Sequence, residues 1–421
     1  MKKIILLTAT IICGAGIAFG QMAAPSDTSI KVTVTKLADH IYRTTCAGEF
    51  ETNQIASVGP DGILLVDAGM AGTAPALADT LRELHDGRIR LVINTHSHGD
   101  HAWGNHVFKD EAIIIAQRYA GDNLSGGYFA LPALRNDNSP TVLFDDSLTI
   151  NFNGEEVRVY HVPNAHTGGD VVVHFVNSGI VCIGDLIFPD HIPFVDLPLQ
   201  GSTVSYIRNV QLLIDAYSPG VQYVAGHGRV YSRDDLVKYH AELVKMSDLV
   251  RQAIAAGKTV DQMKADKLLG TWESWDGPWI TTKIDYWTDI LYQELSSPTG
   301  KAKPQIAAPM TETIVARGTA AAVEQYHQLK RDRPDDFDFG ENGLNALGYQ
   351  LLARNMIDDA VAIFLLNTGA YPNSFNVYDS YGEALLAKGD TALAITNYRK
   401  SLELNPDNTN AVQVLTRLGA K

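Results

Sequence analysis

Apolar and polar positions between residues 30 and 183 follow the period of β-strands. Lys31-Val32-Thr33-Val34-Thr35 alternates, as a half-buried strand does. Asn53 to Val58 and Gly62 to Val66 flank Gly59-Pro60-Asp61-Gly62, a hairpin turn. Thr73 to Leu84 has helical spacing. Ile89–Ile93 is a short apolar run, the pattern of a buried strand. Further strands are expected at Glu111–Ala116, with a short helix after it, and at Ser147–Asn151, Val157–Val162, Val171–Val176, Ile180–Ile183 and Tyr223–Ala225. Strands in runs with helices between them imply an α/β fold in which two sheets are sandwiched by helices.

Beyond residue 230 the period changes to that of helices. Ser232 to Ala256 is a long helix pattern, and Val260 to Leu268 is a second. Trp272, Trp275, Trp279 and Trp287 follow; large aromatics there either pack the interior or line a pocket, and packing is the favoured reading. Ser296 to Pro304 is a linker by composition. The last hundred or so residues then repeat themselves. Gly348 and Gly382, Leu351 and Leu385, Ala360 and Ala394, Phe364 and Tyr398, and Pro372 and Pro406 are each 34 apart. Ala322, Tyr326 and Pro334 match part of an earlier unit. This spacing resembles tetratricopeptide repeats, helical hairpins that stack to bury their apolar faces. So short an array is expected to lean on the preceding domain or on a second chain.

Composition narrows the class. A chain of 421 residues is too long for one compact domain, and 45% apolar residues support a core. The net charge of −14 gives no electrostatic reason for nucleic-acid binding. Lys2 and Lys3, the apolar run Ile4–Ile12 and the small residues of Ala18-Phe19-Gly20 form a secretory signal with cleavage before Gln21. No other apolar run is long enough to span a membrane. The mature chain is therefore expected to be exported, and periplasmic in a Gram-negative cell. It keeps Cys46 and Cys182, either a single disulfide or, the favoured reading, two buried thiols.

The candidate chemistry follows the strand Ile89–Ile93. Within six positions come His96, His98, Asp100 and His101, residue types that ligate zinc in open, water-bearing sites. In extended backbone His96 and His98 point to one side, and the turn beyond lets Asp100 and His101 aim at a second point. His-x-His-x-Asp-His after a hydrophobic strand resembles the metallo-β-lactamase-fold hydrolases. That resemblance requires further ligands downstream, and they occur at strand ends beside turn formers: His166 in Asn164-Ala165-His166-Thr167-Gly168-Gly169, Asp185 after Ile183-Gly184, and His227 in Gly226-His227-Gly228.

The resemblance covers about residues 30 to 260 and implies an αββα sandwich. It assigns His96, His98 and His166 to one Zn2+ and Asp100, His101 and His227 to a second, with Asp185 bridging. It further implies a hydrolase in which a metal-bridging hydroxide attacks the carbonyl of an ester, thioester, lactone or lactam, with Asp100 orienting the water and carrying its proton. Zinc β-lactamases of this fold usually carry Cys or Ser where this chain has Asp185, so β-lactam cleavage stands as the alternative. A protein-interaction scaffold with an auxiliary metal site is the alternative of another class. His106, His161, His174 and His191 lack a spacing argument and are read as core or surface residues, with His191, in the loop after Asp185, the one placed to face substrate. Gly121 to Pro140 reads as a long loop, a substrate-side flap or a plain surface excursion. The expected organisation is a signal peptide at 1–20, a catalytic domain at 21–295 (core 30–260, helical and Trp-rich extension 261–295), a linker at 296–310 and an all-α repeat domain at 311–421. The expected partners are a small-molecule substrate and, through the repeats, another protein or a second copy.

Overall fold

A computed structural model describes residues 30–47, 51–85, 87–126, 138–277, 280–297 and 303–420. The signal segment 1–20, most of the long loop (127–137), Trp279 and linker residues 298–302 lie outside the described residues.

The first sheet has seven strands in chain order: β1 (Lys31–Lys36), β2 (Ile41–Ala47), β3 (Glu51–Gly59), β4 (Gly62–Val66), β5 (Ile89–Ile93), β6 (Ile113–Gln117) and β7 (Val142–Phe144). The second has six: β8 (Ser147–Phe152), β9 (Glu155–Val162), β10 (Asp170–Phe175), β11 (Ile180–Gly184), β12 (Gln222–Ala225) and β13 (Val230–Tyr231). Helices α1 (Ala74–Leu84), α2 (Gly99–Ala102), α3 (Asn105–Phe108) and α4 (Arg118–Gly126) interrupt the first sheet. After β11 come α5 (Thr203–Ala216), α6 (Arg233–Ala255), α7 (Val260–Ala265) and α8 (Ile284–Ser296).

Side-chain alternation turns these strands into layers. Leu64 and Val66 of β4 face Val171, Val173 and Phe175 of β10 and Cys182 of β11 in a core between the sheets. Their neighbours Ile63 and Leu65 face outward onto Leu77 and Leu81 of α1. Val172, Val181 and Ile183 face outward from the second sheet onto α5, α6 and α8. The order is helix, sheet, sheet, helix, as expected. Cys46 lies in the outer layer against α1 and Cys182 lies between the sheets, so both are buried free thiols.

Several elements differ from the sequence reading, β7, β13 and α3 among them. β2 was not expected, because three of its four buried positions, Thr44, Thr45 and Cys46, are consecutive and two of those are polar. α5 was not expected either; Ser202 caps it by accepting from Ser205 N. α4 is the short helix expected after the Glu111–Ala116 strand, and it runs on through the first six residues of the stretch read as loop from Gly121. Trp272 and Trp287 are buried in the α5/α6/α8 layer, and Trp275 stacks on Tyr239 at 6.1 Å. These three tryptophans therefore pack the interior.

The C-terminal region is all-helical, with its own core: α9 (Ala307–Arg317), α10 (Thr319–Asp332), α11 (Glu341–Ala353), α12 (Ile357–Ala370), α13 (Phe375–Lys388), α14 (Thr391–Leu404) and α15 (Thr409–Arg417). α9 starts inside the stretch read as linker, and Ile306 just before it is already fully buried. One contact recurs 34 residues apart: Gly348 of α11 lies against the Phe364 ring of α12, and Gly382 of α13 lies against the Tyr398 ring of α14. A Cβ on either glycine would come within 2.6–2.9 Å of ring carbons, so the helices cross where only glycine fits. The arrangement is consistent with a repeat region. No described helix is long and apolar enough to cross a membrane.

Candidate metal centre

β4 runs parallel to β5, and β11 runs parallel to β12. β9 and β11 both pair antiparallel with β10, so they too run the same way. The C-terminal ends of these strands therefore open on one edge of each sheet, where α/β folds place their sites. The ligand-type residues leave from those ends: His96–His101 after β5, His166 after β9, Asp185 after β11 and His227 between β12 and β13.

The structure brings all seven together in two groups. Ligating atoms of His96, His98, His166 and Asp185 lie within 4.8 Å of one another, as do those of Asp100, His101 and His227. Asp185 reaches both groups: its Oδ2 is 3.7 Å from His166 Nε2 and 3.4 Å from His227 Nε2, and its Oδ1 is 3.4 Å from His101 Nε2. Asp100 Oδ2 is 3.2 Å from His227 Nε2 and 3.4 Å from His101 Nε2.

Each imidazole is oriented through its other nitrogen. His166 donates from Nδ1 to Phe194 O at 2.7 Å, and His227 donates from Nδ1 to Glu51 O at 2.8 Å. His101 donates from Nδ1 to Asp67 Oδ2 at 2.9 Å, and His98 donates from Nε2 to Asp196 Oδ2 at 2.9 Å. Thr95 Oγ1 gives its hydrogen to Asp67 Oδ2 at 2.8 Å, so its 3.1 Å contact with His96 Nδ1 is a bond donated by the ring. In the neutral, metal-binding form of each ring the inward atom is then a lone pair. A neutral His98 then has no hydrogen on Nδ1 to share with His96 Nε2 at 3.1 Å and His166 Nε2 at 2.8 Å.

Lone pairs packed that closely repel unless a cation lies among them. His101 Nε2 and Asp185 Oδ1 are buried without a hydrogen-bond partner, which is costly in a protein interior and ordinary for a metal ligand. Five imidazoles and two carboxylates suit a divalent first-row cation. Burial, with the nearby His101, His166 and His98 rings, holds His96 well below the usual imidazole range; burial and His98 push His166 down to about 4. Both are neutral donors at neutral pH. Partial desolvation opposes charge on His227, but Asp185 and Asp100 outweigh it and raise the ring to about 10. Burial likewise opposes ionisation of Asp185, yet His227 and His101 hold its carboxyl well below the usual range. The residues present fit the metal that the sequence implied.

Four supporting residues escaped the sequence reading. Asp67 follows β4 and accepts from Thr95 N, Thr95 Oγ1 and His101. Asp196 holds His98 and accepts from Leu199 N at the start of a short 3-10 helix. Asn53 and Phe194 also touch the ligand segments. A lone acid before Ala-Gly or Leu-Pro reads as a turn residue, and only the fold brings it to its histidine. His106, His161, His174 and His191 lie outside the two groups. His106 donates to Trp103 O, His161 donates to Gly168 O, His174 packs on Tyr217, and His191 is exposed beside Pro189 O.

The family model of the metallo-beta-lactamase superfamily matches residues 47–227. A metallo-beta-lactamase type 2 of Elizabethkingia meningoseptica is 25% identical over 222 residues, which are 50% of this chain and 82% of that relative. A hydroxyacylglutathione hydrolase of Gloeobacter violaceus is 33% identical over 105 residues, 24% of this chain and 36% of the relative. A solved metallo-beta-lactamase from Pontibacter korlensis aligns with a TM-score of 0.44 at 18% identity, covering 51% of this chain and 99% of that one.

Proposed function

Residues 47–227 form a metallo-β-lactamase superfamily domain, and from that premise we propose that the chain is an exported dinuclear zinc hydrolase of carbonyl substrates. The observation that carries this reading is the convergence of ligand-type atoms of five imidazoles and Asp100 in two groups around the shared carboxylate of Asp185. His96, His98 and His166 would hold one cation, Asp100, His101 and His227 the other, with Asp185 between them. When bound, such cations supply Lewis acidity toward a carbonyl oxygen and a water of lowered pKa.

The protein's own groups do the rest. Asp100 and His227 are the exposed members of the ligand set, at 21% and 29% of their side-chain surface, so substrate approaches on their side. The Asp100 carboxylate is placed there to orient water and pass on its proton. Phe194 stacks on the His98 ring at 5.5 Å, and Phe188 stacks on the His227 ring at 6.2 Å. These rings exclude water from one side and present an apolar face to the substrate. Asp185, in a position where zinc β-lactamases of the fold usually carry Cys or Ser, favours esters, thioesters and lactones over β-lactams. A panel of these four substrate types, run with and without chelator, tests the reading. Chelator-sensitive hydrolysis of at least one supports it, and turnover of none by the zinc-loaded chain contradicts it.

A further inference from the structure

We infer that Asn53 is a positioning residue for the second cation site: from the first sheet, it holds the turn of the second sheet that carries His227. The inference rests on the dinuclear reading above.

His227 differs from the other imidazoles of the site. His98, His101 and His166 are almost wholly enclosed, whereas His227 is partly open to solvent. It also sits on the tight turn between β12 and the two-residue strand β13, which offers little rigidity of its own. The turn is nonetheless fixed, and mostly from the opposite sheet. The Asn53 backbone donates to Gly226 O at 2.8 Å. Its side-chain amide donates to Ala225 O at 3.0 Å and to Gly228 O at 2.9 Å. Three carbonyls around His227 thus end on one residue of β3. Both side-chain partners are carbonyls, which only accept, so the nitrogen of the amide must face them. The amide oxygen is used as well, accepting from Thr45 Oγ1 at 2.9 Å. Asn53 is 3% exposed, so water is not at hand to replace these bonds.

The turn cannot relax inward to compensate. A Cβ at Gly226 would overlap Asp185 Oδ1 and His101 Cε1, so the backbone there already touches two ligands. A sub-ångström shift of the turn moves His227 against a fixed pair of partners, Asp100 and Asp185. The turn meets the group of His96, His98 and His166 through Asp185, so that group should register the change less than the group that contains His227.

Zinc uptake by the metal-stripped full chain, followed by competition with a chromophoric chelator, separates the outcomes. The wild type should bind about two equivalents. Asn53→Ala should weaken the second equivalent by about 10- to 100-fold, the usual cost of losing a support behind a ligand, and affect the first much less. Asn53→Asp keeps the shape and the Thr45 bond but sets an acceptor against two carbonyls, so it should be at least as weak. β12–β13 pairing and the Gly226 N bond to Gly184 O remain in both variants and hold the local fold. Unchanged second-site affinity, equal loss at both sites, or an Asn53→Asp variant that binds like wild type overturns the inference. A wild type that binds fewer than two equivalents instead removes the dinuclear reading beneath it.

Discussion

Asp185 serves both halves of the site, its Oδ2 facing His166 and His227 and its Oδ1 facing His101, whereas Asp100 serves only the half of His101 and His227. That difference separates holding from turnover. Asp100→Asn keeps the size and one oxygen of the side chain but cannot carry a proton. Its kcat should fall by about 100-fold or more, the range for losing a general acid or base; full rate with wild-type zinc content would remove Asp100 from the chemistry. The seven ligand-type residues were legible because each is a metal-binding type at a strand end and the first four are packed into six positions. Asp67, Asp196 and Asn53 were not, because they meet their partners 34, 98 and 172 residues away along the chain. The cysteines give an independent check at this scale. Burial pushes the Cys46 thiol up to about 12 and Cys182 well above its usual range. A chain beginning at Gln21 should therefore react with a thiol reagent at neutral pH only after unfolding, and then through both cysteines. Prompt reaction of the native chain would contradict their burial.

Among the elements, strands with clean alternation or continuous apolar runs were read to within a few residues: β4 and β5 match, and β8 to β12 shift only at their ends. β2 failed for a physical reason. Its consecutive buried positions are satisfied by side-chain bonds from Thr44 to Gln54 and from Thr45 to Asn53, which period-two reading cannot register. In the helical region the 34-residue spacing marked real contacts, glycine against ring at Gly348–Phe364 and again at Gly382–Tyr398. Gly382→Val forces branched methyl groups into that ring. It should destabilise the helical region by about 1–3 kcal/mol, the usual cost of overpacking. Thermal melting would register the loss while zinc uptake stays at the wild-type level. A melting curve that does not move would mean the crossing is looser than its geometry.

The whole molecule joins an αββα sandwich, with its metal-type residues at one edge, to an all-helical region with a separate core. Layering was legible because the first 230 or so residues and the last hundred or so carry different periods. Export rests on Lys2, Lys3 and the apolar segment after them. Intact-mass measurement of the protein recovered from a Gram-negative periplasm should place the first residue at Gln21, and an unprocessed chain in the cytoplasm would contradict export. Self-association through the helical region is proposed on the strength of its short array alone, and sedimentation of the full chain measures it. The central claim is that the seven residues bind a pair of cations on which hydrolysis depends. Its most direct test is to strip the full chain with chelator and add zinc in steps while following cleavage of the best substrate. The account requires the rate to rise from near zero and level off at about two equivalents. A rate that survives stripping, or that does not respond to zinc, would contradict it.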